Sequence, residues 1–289
     1  MIIVEVGRGL GNSMYVYAAG KSLAEHYSTK LKIDTSYLDA WPRPNYKYGG
    51  SWDSVIEKFN ISAKRASKKE ISKFLFRTRI RYVDRFFYKF KLFEKNVVRF
   101  PTHRPIKEFY KIPDNTYLII YGGEEKFFKR IRKIIQKEFT LKEEFKKDIA
   151  SDLKKVSLGN SVSIHVRRGD VLKIKNANVI GMDFYKPSIE IIKKKVKNPT
   201  FYVFSDEIDW CKKNFKGLGI KINFIEGNKD YEDLEIMRSC KHNIITNSAL
   251  SWWAGYLNKN PKRIVIAPRE FTHFKGGKIP VLPKDWLRV

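Results

Sequence analysis

Two arginines, a histidine and an aspartate crowd into one short run, Ser163-Ile164-His165-Val166-Arg167-Arg168-Gly169-Asp170. Its apolar start reads as a strand. Side chains alternate between faces there, so His165 and Arg167 share one face and Arg168 takes the other. A guanidinium offers paired donors and a charge it does not lose, which suits a diphosphate. Gly169 permits a turn, and Asp170 can hold an arginine in place. An internal Arg–Asp pair beside a buried histidine accounts for these residues equally well.

Two further segments place polar groups after a strand. Phe201-Tyr202-Val203-Phe204 runs into Ser205-Asp206-Glu207. A carboxylate there can accept hydrogen bonds from a ligand's amino and imino groups, as on the Watson–Crick edge of guanine, or cap the next helix. In His242-Asn243-Ile244-Ile245-Thr246-Asn247-Ser248-Ala249-Leu250-Ser251-Trp252-Trp253, a polar loop joins strand to helix. Asn247, Ser248 and Ser251 fall where a helix N-terminus meets phosphate. Trp252 and Trp253 suit core packing.

Near the start, Gly7-Arg8-Gly9-Leu10-Gly11-Asn12 follows a strand and opens a helix. It fails the dinucleotide fingerprint, because the third glycine is Asn12 in one register and Met14 in the other. Gly20-Lys21-Ser22 hints at a P-loop, but Tyr15 stands at the first glycine and the lysine falls inside a helix. What survives is a close-approach turn suited to anions, or a plain tight turn. There is no D-x-D: Asp206 and Asp209 are three apart, as are Asp230 and Asp233. No His/Cys cluster has metal spacing, so a bound diphosphate would rely on arginines and amides.

Alternating elements must position these residues. Residues 2–6 read as a strand, 14–27 as a helix and 31–34 as a second strand, a βαβ opening that predicts a parallel sheet. Residues 41–52 read as a loop, residues 64–99 as basic helices, 117–121 as a strand, and 124–139 and 142–155 as helices. Leu158-Gly159-Asn160 reads as a break. The rhythm then restarts with strands at 161–166, 200–204, 220–225, 242–246 and 263–267 and helices at 184–196, 208–215, 231–239 and 251–257. The expectation is two doubly wound α/β domains, residues 1–157 and 158–289, with ligands outside the carboxyl ends of the strands.

Composition narrows the classes. With 289 residues, 43% hydrophobic and 14% aromatic, the chain can build large cores, which excludes a disordered basic tail. Two cysteines make no disulfide framework, as expected in a reducing compartment. No apolar run is long enough to span a membrane, and the first residues read as a strand rather than a leader. The expected location is the cytoplasm. The net charge of +27 points to anionic partners, or to a Lys-rich proteome. Residues 64–99 carry 13 Lys/Arg against Glu70, Asp84 and Glu94, with apolar residues at spacings of three and four. Such an amphipathic stretch suits peripheral contact with the inner face of the plasma membrane, or an ordinary solvated helix face. A nucleic-acid-binding protein is the reading from a different class, but no recognition motif for nucleic acid is present.

Together these motifs resemble glycosyltransferase family 11, the α-1,2-fucosyltransferases. Gly7-Arg8-Gly9-Leu10-Gly11-Asn12-Ser13-Met14 is similar to the family's GGLGNQMFQYA start, and His165-Val166-Arg167-Arg168-Gly169-Asp170 to its HxRRGDY motif. Phe204-Ser205-Asp206 is similar to FSDD, and the stretch from Asp233 to Trp253 to the family's last block. Arg8, Ser13, Val171 and Ala249-Leu250 depart from the pattern, as does the stretch 41–99. The resemblance implies a GT-B fold, GDP-fucose as donor, no metal cofactor and inversion at the sugar. It implies a first domain that shapes the site of a galactose-ended acceptor, free or lipid-linked, and a second that binds GDP. Arg167 would grip the β-phosphate, Asp170 would be the base or an arginine's partner, and Asn12 would position donor or acceptor. The other donor-side candidates are His165, Arg168, Ser205, Asp206, Asn247, Ser248, Ser251, Gly9 and Gly11. A related transferase using another sugar nucleotide is the second enzyme reading.

Overall fold

A computed structural model describes residues 1–7, 9–36, 56–76, 81–92, 94–120, 123–169, 171–272, 274 and 282–289. The chain divides into two units, Met1–Thr140 and Leu141–Val289. The boundary falls before the expected residue 157 because the intervening helices pack with the second unit. Tyr202 Oη donates to the Lys155 carbonyl at 3.1 Å, Ser161 Oγ donates to the Val156 carbonyl, and the Phe145 ring lies 6.0 Å from that of Tyr231.

The first unit holds a five-stranded parallel sheet. Its strands are β1 (Ile2–Glu5), β2 (Leu31–Asp34), β3 (Lys64–Arg65), β4 (Val97–Phe100) and β5 (Thr116–Ile120), in the order β3-β2-β1-β5-β4. Apolar β1 is central and covered on both faces, as interior parallel strands are. Helix α1 (Leu10–His26) follows, then α2 (Arg81–Phe90) and α3 (Arg132–Glu138). Helix α1 begins four residues earlier than the sequence suggests, because Gly9 takes the N-cap position and Gly11 continues into the helix. Residues 41–52, expected as a loop, lie outside the described residues.

Gly20 explains why the P-loop hint fails. It lies inside α1, where a Cβ would stand 2.3 Å from Val4 Cγ1 and 3.0 Å from Leu31 Cδ1. The glycine lets the helix lie on β1 and β2. Gly20→Ala is expected to destabilise the protein by about 1–3 kcal/mol, the usual cost of overpacking, despite alanine's better helix propensity. A lower urea midpoint would register it; an unchanged midpoint would mean that α1 can lift off the sheet.

The second unit is a six-stranded parallel sheet. It comprises β6 (Asn160–Val166), β7 (Pro199–Ser205), β8 (Lys221–Ile225), β9 (His242–Ile244), β10 (Val265–Ala267) and β11 (Leu287–Arg288), in the order β11-β10-β9-β6-β7-β8. Its helices are α4 (Ala150–Ser157), α5 (Met182–Lys195), α6 (Ile208–Phe215), α7 (Asp230–Ser239) and α8 (Ala249–Leu257). Val162, Ile164, Phe201, Val203 and Ile244 from the strands form one core with Tyr185, Ile189, Ile192, Cys211 and Phe215 from the helices. The chain runs from β6 out to β8 and returns as β9 on the other side of β6. The topological switch therefore lies between β6 and β9, where open α/β sheets hold ligands.

Candidate active site

Adjacent strand ends assemble the site. His165 pairs in register with Phe204 and Val166 with Ser205, so the loops after β6 and β7 lie side by side. Ile164 pairs with Ile244, which places the loop after β9 on the other flank. His165, Arg167, Arg168, Ser205 and Asp206 thus come together, with Asn247, Ser248 and Ser251 next to them. Asn12, Gly9 and Gly11 belong to the first unit, at the start of α1, where no side chain caps the helix.

Asp206 organises the cluster. Its carboxylate is buried, takes the Arg167 guanidinium at 3.0 Å through Oδ2, and accepts the Arg168 backbone N–H at 2.9 Å through Oδ1. No side chain caps α6, which corrects the capping reading of Asp206. Asp206 does the arginine-holding expected of Asp170, a residue that lies outside the described ones. Gly169 makes the grip possible, because a Cβ there would stand 2.8 Å from Asp206 Oδ2.

The two arginines, just past the end of β6, have different partners. Arg168 lays its guanidinium 4.0 Å from the centre of the Trp210 ring, a cation–π contact that anchors the loop to α6. Arg167 stays partly accessible. His165 is buried, and its Nδ1 has no hydrogen-bond partner among the described residues. Burial pushes its pKa down to about 4; Asp206 pulls upward, and Arg167 pushes further down. The imidazole is therefore neutral at pH 7.

Several expected donor ligands are turned inward. Asn247 Nδ2 donates to the carbonyls of Asn178 (2.7 Å) and Thr272 (2.6 Å), and its Oδ1 accepts from Thr246 Oγ1. Its amide straps three loops together and has nothing left for a phosphate. Ser251 Oγ is buried and donates to the Thr246 and Ser248 carbonyls. Ser205 Oγ accepts the Glu207 N–H, closing a local turn. Ser248 is different: it is the N-cap residue of α8 by position, yet its side chain caps nothing. Trp252 stacks on Tyr256 at 4.7 Å and packs against Trp286, which is core packing as expected.

The sequence reading missed an acidic pair on α7. Asp230 and Asp233, three apart and so on one helix face, were weighed only as a failed metal motif. Burial raises Asp230 to about 6, against backbone hydrogen bonding at Tyr231 and a weaker pull from Arg167. Burial, reinforced by Asp230 and Glu232, raises Asp233 to about 8, and one of its carboxylate oxygens has no partner among the described residues. No group of three or more His, Cys, Asp or Glu residues among those described is arranged to hold a metal ion.

Two doubly wound parallel sheets, one of them presenting a braced arginine at its switch point, make up a GT-B fold. The chain belongs to glycosyltransferase family 11, whose model (Glycosyl transferase family 11) matches residues 1–279. An α-1,2-colitosyltransferase of Escherichia coli is 29% identical over 303 residues, covering 100% of this chain and 99% of the relative. A galactoside α-(1,2)-fucosyltransferase 1 of Aotus azarae is 29% identical over 145 residues, covering 45% of this chain and 40% of the relative. Among solved structures, fucosyltransferase NodZ from Bradyrhizobium shares the fold at a TM-score of 0.52 with 14% identity, covering 87% of this chain and 91% of that one.

Proposed function

We propose that the protein is an inverting α-1,2-fucosyltransferase that moves fucose from GDP-fucose to the 2-hydroxyl of a terminal galactose in surface-glycan synthesis. The observation that carries this reading is Arg167, held by Asp206 at the carboxyl end of β6, beside the topological switch. The second unit binds GDP, and the first shapes the acceptor site. As the bond from the sugar's anomeric carbon to the phosphate oxygen breaks, negative charge grows on the β-phosphate, where the Arg167 guanidinium stabilises it. The acceptor oxygen attacks the anomeric carbon from the opposite face and loses its proton to a base, a role for which Asp170 is the candidate. Asn12 positions donor or acceptor.

A second reading keeps the chemistry and changes the sugar. It is favoured by the end-to-end match to an α-1,2-colitosyltransferase. Colitose is fucose without its 3-hydroxyl, so the two donors differ by one hydrogen-bonding group. Incubation with GDP-fucose or GDP-colitose and a panel of galactose-ended acceptors, with product linkage read by NMR, separates the two. Fucose on O2 of galactose is the expected product; transfer from GDP-colitose alone would replace the first reading with the second.

Charge compensation by arginine leads to a metal-independent reaction. Turnover is expected to persist in excess EDTA. Complete loss on chelation, restored by manganese, would overturn the arginine-based mechanism.

A further inference from the structure

The segment 64–99 divides in two. Ile71, Phe74 and Leu75 enter the first unit's core beside Ile3, Tyr117 and Ile119. Helix α2 keeps three aromatics outside: Tyr82 is 79% exposed, Phe86 52% and Phe90 54%. Steps of four residues place these three in one row, and the Phe86 and Phe90 rings lie 4.7 Å apart. At the same step of four, the sequence of this helix carries Arg81, Arg85 and Lys89, a basic row by sequence position. Lys89 Nζ lies 5.5 Å from the centre of the Phe90 ring, and Lys91 follows, also exposed. Exposed Phe76 and Leu92 extend the apolar surface at either end.

We infer that α2 is a peripheral docking helix for an anionic bilayer, its aromatic row entering the headgroup–acyl boundary while the basic row meets the lipid phosphates. Charge selects this occupant. A second copy of the chain would bring two basic rows together, which like charges oppose. A nucleic-acid duplex would accept the basic row but keeps its bases stacked on one another, away from Phe86 and Phe90. A bilayer bearing anionic lipid accepts both rows, as interfacial amphipathic helices require. No helix among the described residues is long and apolar enough to cross a membrane, so attachment through α2 is peripheral.

The test is co-sedimentation with vesicles of phosphatidylcholine alone or mixed with phosphatidylglycerol, at low and high salt, without donor or acceptor. Its result is therefore independent of the proposed transfer reaction. The wild type is expected to pellet with the mixed vesicles at low salt and to be released as salt rises, because headgroup attraction acts within about 10 Å at 0.1 M salt. Phe86→Ser with Phe90→Ser should weaken partitioning about tenfold or more, through lost apolar transfer. Both side chains are more than half exposed, so an unchanged melting curve is expected to show that the fold persists. Lys89→Glu with Lys91→Glu should reduce the preference for phosphatidylglycerol. Wild-type binding by the serine variant would reduce the attraction to diffuse charge and overturn the proposal. So would equal pelleting with neutral vesicles, or a dimer that the serine substitutions dissociate.

Discussion

Arg167→Lys is expected to lower kcat by about a hundredfold to a thousandfold, the scale of removing one preorganised donor to a developing negative charge. Folding should be unaffected, since a lysine can still reach Asp206 and keep the carboxylate paired. That pairing is what removes the activity. The guanidinium holds Asp206 at 3.0 Å and presents its N–H donors in a planar fork whose geometry matches paired phosphate oxygens. A lysine ammonium is a single point charge that must choose between Asp206 and the phosphate. The interaction strengthens as the sugar–phosphate bond breaks, so kcat should fall more than GDP affinity. Kinetics together with GDP titration by calorimetry would separate the two effects. Near-normal kcat in a folded variant would remove Arg167 from the phosphate-binding role.

The sequence shows this site only in part, for a physical reason. The pattern of β1, α1 and β2 is legible because an apolar strand, a glycine turn and a helical repeat are local signals. So are β6, β7 and the loops that follow them. Three short strands carry no such signal: β3 is Lys64-Arg65, β11 is Leu287-Arg288, and β4 lies inside a basic stretch that reads as helix. Edge pairing, not apolar patterning, makes them strands. The expected helix over 124–139 becomes two 3-10 turns and the short α3, with Phe127 and Phe128 drawn into the core. At the site, spacing places His165 and Arg167 on one face but cannot reveal that Asp206, on another strand, is the partner. That pairing comes from the β6–β7 register. Asn247 misleads for the same reason: its polar amide at a strand end looks ready for a ligand, while the carbonyls it serves belong to Asn178 and Thr272, remote in sequence.

The buried acid on α7 leads to the last expected result, a loss of stability as pH rises from about 6.5 to 8. Burial raises Asp233 from an ordinary aspartate value to about 8, so across that window the native state holds a proton that the unfolded chain has released. Stability falls with pH wherever the native state binds more protons, by at most about 1.4 kcal/mol per pH unit for one group. Asp230, raised to about 6, acts in the same direction at lower pH. His165 opposes them: held down at about 4, it stays neutral in the folded protein while the unfolded imidazole gains a proton below about 6.5. Its contribution grows with pH between about 4 and 6.5 and is constant above that. On the acid side His165 offsets only one of the two carboxyl slopes, and above about pH 6.5 Asp233 acts alone. Asp233→Asn keeps the shape of the protonated acid without a proton to lose. Urea unfolding at a series of pH values should show the wild type weakening by about 1 kcal/mol per unit between pH 6.5 and 7.5, with the variant nearly flat and the more stable of the two at pH 8. Parallel curves for the two proteins would place the ionised carboxylate in a solvated setting and remove the buried acid from the account of α7.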